Sequence, residues 1–341
     1  MDRFIVGTGR CGSTLLSRML AENPDTCSIF EYFNGLDVLR RFQAEPLSGQ
    51  DFAQLIAGEQ KFVTAVLRRG YPVSEITYPF ADAPPGARAG RVGRYRRDEP
   101  LPWILVSMLP RLTDDPDALF DELMEFCRSR PKGSVVGHHR ALFDWLAQRL
   151  GRLHWIERAG SSIDYLPALV QHFPEARFLH IHRDGCESAL SMREHHAFRV
   201  PIAILYQAAA GEGPSLAEID FEAAPTADDP ISRVLEGLPP VVYYGRYWSD
   251  QIARGLSARS QLAPGRYREL RFEDLLRDPA AALSEVAEFF ELDGGDWLRR
   301  AAALVTTPPP ARFGALSAKD RELLARACEP GRALLSREAK G

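Results

Sequence analysis

Short apolar runs alternate with stretches in which apolar residues recur at helical spacing, and this alternation persists along most of the chain. Phe4-Ile5-Val6 is followed by a glycine-rich turn, and then Leu15, Leu16, Met19 and Leu20 mark one face of a helix. Asn23-Pro24-Asp25 stops that helix, and 28–33 reads as a second extended segment. Residues 36–70 read as helical, whereas 71–102 carry Pro79, Pro84, Pro85, Gly86, Gly90, Gly93, Pro100 and Pro102 without periodicity. Beyond them come a helix through Phe120, Leu123, Met124 and Cys127, a strand over 134–137, and a helix through Leu142, Trp145, Leu146 and Leu150. The pattern continues with a strand at 154–156, a helix over 165–172, a strand at 177–182 and a helix from Cys186 to about Phe198. Residues 199–240 form a Gly, Pro and acid-rich insertion. A helix (243–256), a strand (267–272) and a helix (280–290) complete the order. Strands alternating with helices predict an α/β fold with a mainly parallel, doubly wound sheet whose ligands meet the carboxyl ends of the strands. We read residues 1–341 as a single domain, with insertions at about 71–131 and 199–242 that would cover the ligand site.

Composition narrows the function classes. The chain has 341 residues, 45% of them hydrophobic and 26% charged, an ordinary globular balance. Lys and Arg total 42 against 46 acids, for a net charge of −4, so no general nucleic-acid surface is expected and any anion site is local. Only four of the basic residues are lysines (Lys61, Lys132, Lys319 and Lys340), leaving 38 arginines. A cation-dependent site must therefore use Arg. The five cysteines lack zinc-binding spacing and read as reduced thiols. With neither a membrane-length apolar window nor a signal-peptide pattern, a cytoplasmic location is expected.

Gly7-Thr8-Gly9-Arg10-Cys11-Gly12-Ser13-Thr14 lies between strand and helix, where backbone N–H groups and a helix N-terminus make an anion site. Its Gly-x-x-x-x-Gly-x-Thr spacing is that of a P-loop, but Ser13 stands where a nucleotide kinase needs lysine. Arg10 supplies instead a forked cation suited to a phosphate. A second strand end, His182-Arg183-Asp184-Gly185, opens a helix on which Ser191 lies about two turns further. Asp184 is placed to cap it.

Together these segments resemble the sulfotransferases that use 3′-phosphoadenosine 5′-phosphosulfate (PAPS). Phe4 through Leu16 is similar to their first signature, and Arg177 through Ser191 to their second. Arg271-Phe272-Glu273-Asp274-Leu275 with Asp278-Pro279 is similar to a softer third element. The resemblance implies a P-loop-like core and PAPS as co-substrate, with adenosine 3′,5′-bisphosphate as product and no metal. It implies that Arg10, Cys11, Gly12, Ser13 and Thr14 hold the 5′-phosphosulfate, and that Arg183 and Ser191 hold the 3′-phosphate. Phe272, in place of the usual Tyr, would pack on adenine. Arg312, in a late basic loop, is a further candidate for the 3′-phosphate.

Sulfuryl transfer needs a base for the acceptor proton and cations where charge gathers. Glu31, within Phe30-Glu31-Tyr32-Phe33, is the sharpest base candidate and resembles a Glu-Tyr-Phe segment of trehalose-type sulfotransferases and the catalytic carboxylate region of tyrosylprotein sulfotransferases. His138 and His139 are its rivals. Arg158 falls where relatives carry a Lys that touches the sulfuryl group. The bland alternative for Arg158 is an exposed ion pair with Glu157. His195 and His196 read as helix-end or solvent-facing residues, Tyr244 and Trp248 as core. Tyr71, Tyr78, Phe80, Tyr95 and Trp103 hint at an aromatic lid. The expected acceptor is a hydroxyl on a small molecule, glycan or lipid. A homodimer is compatible with the sequence. A P-loop small-molecule phosphotransferase and a non-catalytic nucleotide-binding protein are the alternatives.

Overall fold

The computed structural model describes residues 1–82 and 92–338. Pro84, Pro85, Gly86 and Gly90 of the predicted irregular stretch lie outside the described residues.

Five strands carry the fold: β1 (Arg3–Val6), β2 (Thr26–Phe30), β3 (His154–Arg158), β4 (Arg177–His182) and β5 (Tyr267–Arg271). They form one parallel sheet in the order β2-β3-β1-β4-β5. The helices are α1 (Ser13–Ala21), α2 (Gly49–Ile56), α3 (Lys61–Arg68), α4 (Pro116–Ser129), α5 (Val135–Arg149), α6 (Leu166–His172) and α7 (Gly185–Glu194). They continue with α8 (His196–Ile202), α9 (Pro230–Glu236), α10 (Val241–Leu256), α11 (Phe272–Arg277), α12 (Pro279–Phe290), α13 (Asp296–Ala302) and α14 (Ala318–Glu338). A parallel sheet needs apolar cover on both faces. Phe4, Val6, Ile29 and Phe178 point into one core with Leu142 and Phe143 of α5 and Leu169 of α6. Ile5, Leu179 and Ile181 point into the other, against Leu16 and Leu20 of α1 and Leu283 and Phe290 of α12. That two-residue alternation is what the pleat requires.

Because every strand runs the same way, the residues that follow them gather along one edge of the sheet. β1 leads into Gly7, β2 into Glu31, β4 into Arg183 and β5 into Phe272, while Arg158 closes β3. The crossover reverses at β1, between β3 and β4, where an open parallel sheet places its ligand.

Some expected elements differ. Residues 134–137 are not a strand but the cap and first turn of α5, with the Ser134 hydroxyl accepting the Gly137 N–H at 3.1 Å. This Ser cap, together with burial of His138, His139, Leu142 and Phe143 along one helical face, outweighs the β preference of the Val135-Val136 pair. Between 36 and 70 only α2 and α3 are helical, α2 being started by a Ser48/Asp51 capping box.

Candidate active site

The loop after β1 reaches α1 through left-handed backbone at Gly9, Arg10 and Gly12, with φ of 76°, 52° and 94°. At Gly12 a side chain is excluded twice, by that φ and by the Phe272 ring, which would lie 2.0 Å from an added Cβ. No side chain caps α1, so its first-turn N–H groups face the loop without an internal acceptor. Arg10 and Glu31 (φ 54°) hold a conformation costly for a non-glycine residue, and both line the same cleft.

That cleft, of about 480 Å³, brings together Arg10, Gly12, Ser13, Thr14, Glu31, Arg158, Arg183, Ser191, Phe272 and Arg312. Within it the cations form two clusters. One surrounds the α1 N-terminus, where Arg158 donates to the Thr14 hydroxyl at 2.6 Å. The other is built on β4 and α7. Arg183 lies 3.7 Å from Glu187, its guanidinium 5.3 Å from the centre of the Phe272 ring. Arg312 joins this side through its main-chain N–H to Glu187 at 3.0 Å, and its Nε is taken by Glu194 at 2.8 Å. Arg10 links the two clusters, its Nε donating to the Ser191 hydroxyl at 3.2 Å. Asp184 caps α7 as expected, accepting from the Glu187 N–H at 3.0 Å.

Glu31 sits across the cleft in a closed network. Its carboxylate pairs with Arg158 and accepts from the Gly160 N–H at 3.0 Å and the Asn34 amide at 2.6 Å. Trp103 fixes its backbone through an indole N–H to the Glu31 carbonyl at 2.7 Å. Burial raises the Glu31 pKa, Arg158 pulls it back down, and Glu75 adds to the rise. Arg158 does not pair with Glu157, which lies buried on the opposite face of β3. Arg158 stacks instead on Phe30, its guanidinium 4.0 Å from the ring centre.

Burial, then the charge of Glu31, raises Glu157 from 4.5 to about 8. The folded chain thus retains a proton that the unfolded chain releases above pH 4.5. The contribution of this carboxyl to stability is fullest below that value, declines as pH rises toward about 8, and then levels. We expect Glu157→Gln to flatten part of that decline, read as a smaller fall in Tm between pH 5 and 8 than in the wild type.

Several expectations fall outside the cleft. His138 and His139 are interior struts of α5. His138 Nε2 meets the Leu47 carbonyl at 3.0 Å, and His139 lies between the Tyr32 hydroxyl at 2.7 Å and the Arg41 carbonyl at 2.8 Å. Burial lowers the His139 pKa to about 3. Neither histidine lines the cleft. The Cys11 side chain is packed in the core against Gly7, so the thiol contributes nothing to the cleft. Of the aromatics at 71–103 only Trp103 reaches it, and Tyr78 is held by Asp117 at 2.8 Å. Tyr244 and Trp248 are core.

Sequence reasoning missed Glu75 and His195. The expected helix over 186–198 breaks at His195, whose extended backbone turns the ring into the cleft wall, 3.0 Å from Glu75. Burial opposes the Glu75 charge, but His195 and Arg10, 3.9 Å away, hold its pKa down to about 2. Glu75 lies in an irregular stretch, where no periodicity or motif marks it.

No family model matches the sequence, and no curated protein matches it. Solved structures that it resembles are sulfotransferases. The sulfotransferase domain from the curacin biosynthetic pathway superposes with a TM-score of 0.49 at 15% identity, covering 99% of this chain and 97% of that one. The sulfotransferase domain of the Synechococcus PCC 7002 olefin synthase gives 0.46 at 16% identity, covering 99% and 94%. Sulfotransferase STF9 from Mycobacterium avium gives 0.42 at 17% identity, covering 99% and 76%. At these values the likeness is one of general course, and the chemistry of the cleft rests on its own residues. Among the described residues no helix is long and apolar enough to cross a membrane.

Proposed function

We propose that the protein transfers the sulfuryl group of PAPS to a hydroxyl of a small or medium-sized acceptor, releasing adenosine 3′,5′-bisphosphate. The observation that carries this reading is the pair of cation clusters in one cleft, linked by Arg10 and facing a buried carboxylate. An adenosine ligand with phosphates on its 5′ and 3′ carbons presents anions at both ends. The 5′-phosphosulfate would lie on the Gly9–Thr14 loop with Arg10, the 3′-phosphate on Arg183, Ser191 and Arg312. The Phe272 ring, packed on Gly12 between them, offers a face for adenine.

The acceptor oxygen attacks sulfur in line with the bond to the leaving phosphate oxygen. As the new O–S bond forms the old one breaks, its electron pair stays on the phosphate, and the acceptor proton passes to Glu31. Charge gathering on the sulfuryl and leaving oxygens meets the loop N–H groups, Arg10 and Arg158. Arg158 touches both Thr14 and Glu31, which couples the cation at the transferred group to the base. Ser13 in place of the P-loop lysine disfavours a nucleoside triphosphate.

Adenosine 3′,5′-bisphosphate at a hundredfold excess over its Kd is expected to raise Tm by roughly 3–5 °C. ADP with Mg²⁺ at the same concentration should raise it by less than about 1 °C. The opposite order would favour a phosphotransferase and overturn this reading.

A further inference from the structure

A second cavity, of about 610 Å³, adjoins the cleft and shares Gln60, Phe62 and Pro201 with it. It runs between α3 and the end of α8, with Leu55, Val200 and Ile204 in its wall. Val38, Leu205 and Leu216, 70%, 59% and 62% exposed, all line this one cavity, so its rim is an apolar patch continuous with an apolar wall, the mark of a binding groove and not of scattered surface residues. Four charged residues line it, Asp37, Arg40, Glu59 and Lys61, and of these Asp37 and Lys61 are engaged. Asp37 accepts the Leu39 and Arg40 N–H groups at 2.9 and 3.1 Å, and Lys61 pairs with Glu222 at 2.8 Å. The groove therefore offers apolar surface and few free charges.

Its position relative to the base is set by a chain of hydrogen bonds. Glu31 accepts from the Asn34 side-chain amide, and the main-chain carbonyl of Asn34 accepts from the side chain of Gln60, which stands where the two cavities meet. A molecule with its hydroxyl at Glu31 and its body passing Gln60, Phe62 and Pro201 would enter the groove directly.

We infer that the acceptor is an amphiphile, an alcohol carrying an extended hydrocarbon chain, and that this groove binds the chain while Glu31 receives the hydroxyl. The inference rests on the transfer reaction proposed above, and it names the substrate class. Continuity with the cleft and the apolar rim favour this occupant over a second copy of the protein.

The test titrates the protein, saturated with adenosine 3′,5′-bisphosphate, with 1-butanol, 1-hexanol and 1-octanol by calorimetry. Affinity should rise about fourfold for each added methylene, the ratio set by about 0.8 kcal/mol per buried methylene. Leu205→Asp and Val38→Asp, both at exposed positions, should each weaken octanol at least tenfold and butanol little. Equal affinity across the series, or octanol binding untouched by both variants, overturns the inference. So does concentration-dependent dimerisation that Leu205→Asp abolishes, since a second copy would then cover the groove. The nucleotide-induced Tm rise on the same samples reports separately on the transfer reaction. If it is absent, that reading fails while the alcohol series still decides the groove.

Discussion

Glu31→Gln is expected to lower kcat by roughly two to four orders of magnitude, with affinity for adenosine 3′,5′-bisphosphate changed by less than about threefold. The amide keeps the shape of the carboxylate and an oxygen for the Gly160 N–H, but it cannot take a proton. It also leaves Arg158 buried without its counter-charge, so some loss of Tm accompanies the change. The pH profile separates the two consequences. Burial raises the Glu31 pKa, so wild-type kcat should fall as pH drops through that raised value, because the protonated form accepts nothing. Glu31→Asp should keep this acid limb at a reduced rate, and Glu31→Gln should lack it. A glutamine variant with wild-type kcat would remove Glu31 as the base.

Arg183→Ala is expected to weaken adenosine 3′,5′-bisphosphate by roughly 10- to 100-fold, the range for losing charge-assisted hydrogen bonds to a phosphate. Adenosine 5′-phosphate, which lacks the 3′ group, should lose less than about threefold. The contrast is sharp because the Phe272 ring, packed on Gly12, stands between the loop and Arg183, which is buried over that ring. Burial lowers the Arg183 pKa, and a bound phosphate dianion would restore the favourable field that burial removes. Calorimetry with both nucleotides on both proteins gives the four constants. Equal losses for the two ligands would place the 3′-phosphate elsewhere.

The chain announces its own scaffold where local and tertiary preferences agree. Arg177–His182 is a strand by apolar run, by flanking turns and by its interior place in the sheet, between β1 and β5, and its bounds are the observed ones. The loop at Gly7–Thr14 is legible because its glycines answer a backbone demand, left-handed φ at Gly9 and Gly12, that survives any change of context. Arg10, Arg158, Arg183, Ser191 and Glu31 are legible through the resemblance of their segments, and they line one cleft because strand ends of one parallel sheet share an edge and Ser191 stands two turns along α7. The errors arise where tertiary context decides. Val135-Val136 has β-branched side chains, but a serine cap and the burial of two histidines make the segment helical. His138 and His139 therefore act as struts to the carbonyls of Leu47 and Arg41. His195 reads as a helix-end or solvent-facing residue, but its place in the cleft wall is not legible because a helix break of one residue leaves no periodic trace; Glu75 is missed because it belongs to an irregular segment. The groove beyond Gln60 is made from four separate stretches of chain, so no window of sequence contains it.

Electron density for adenosine 3′,5′-bisphosphate soaked into crystals of the wild-type protein tests the central claim most directly. The account predicts one nucleotide, its 5′-phosphate on the amides of the Gly9–Thr14 loop and its 3′-phosphate against Arg183 and Ser191, with Arg10 released from Ser191. A nucleotide bound outside this cleft, or engaging the loop while its 3′-phosphate points into solvent away from Arg183, would contradict it.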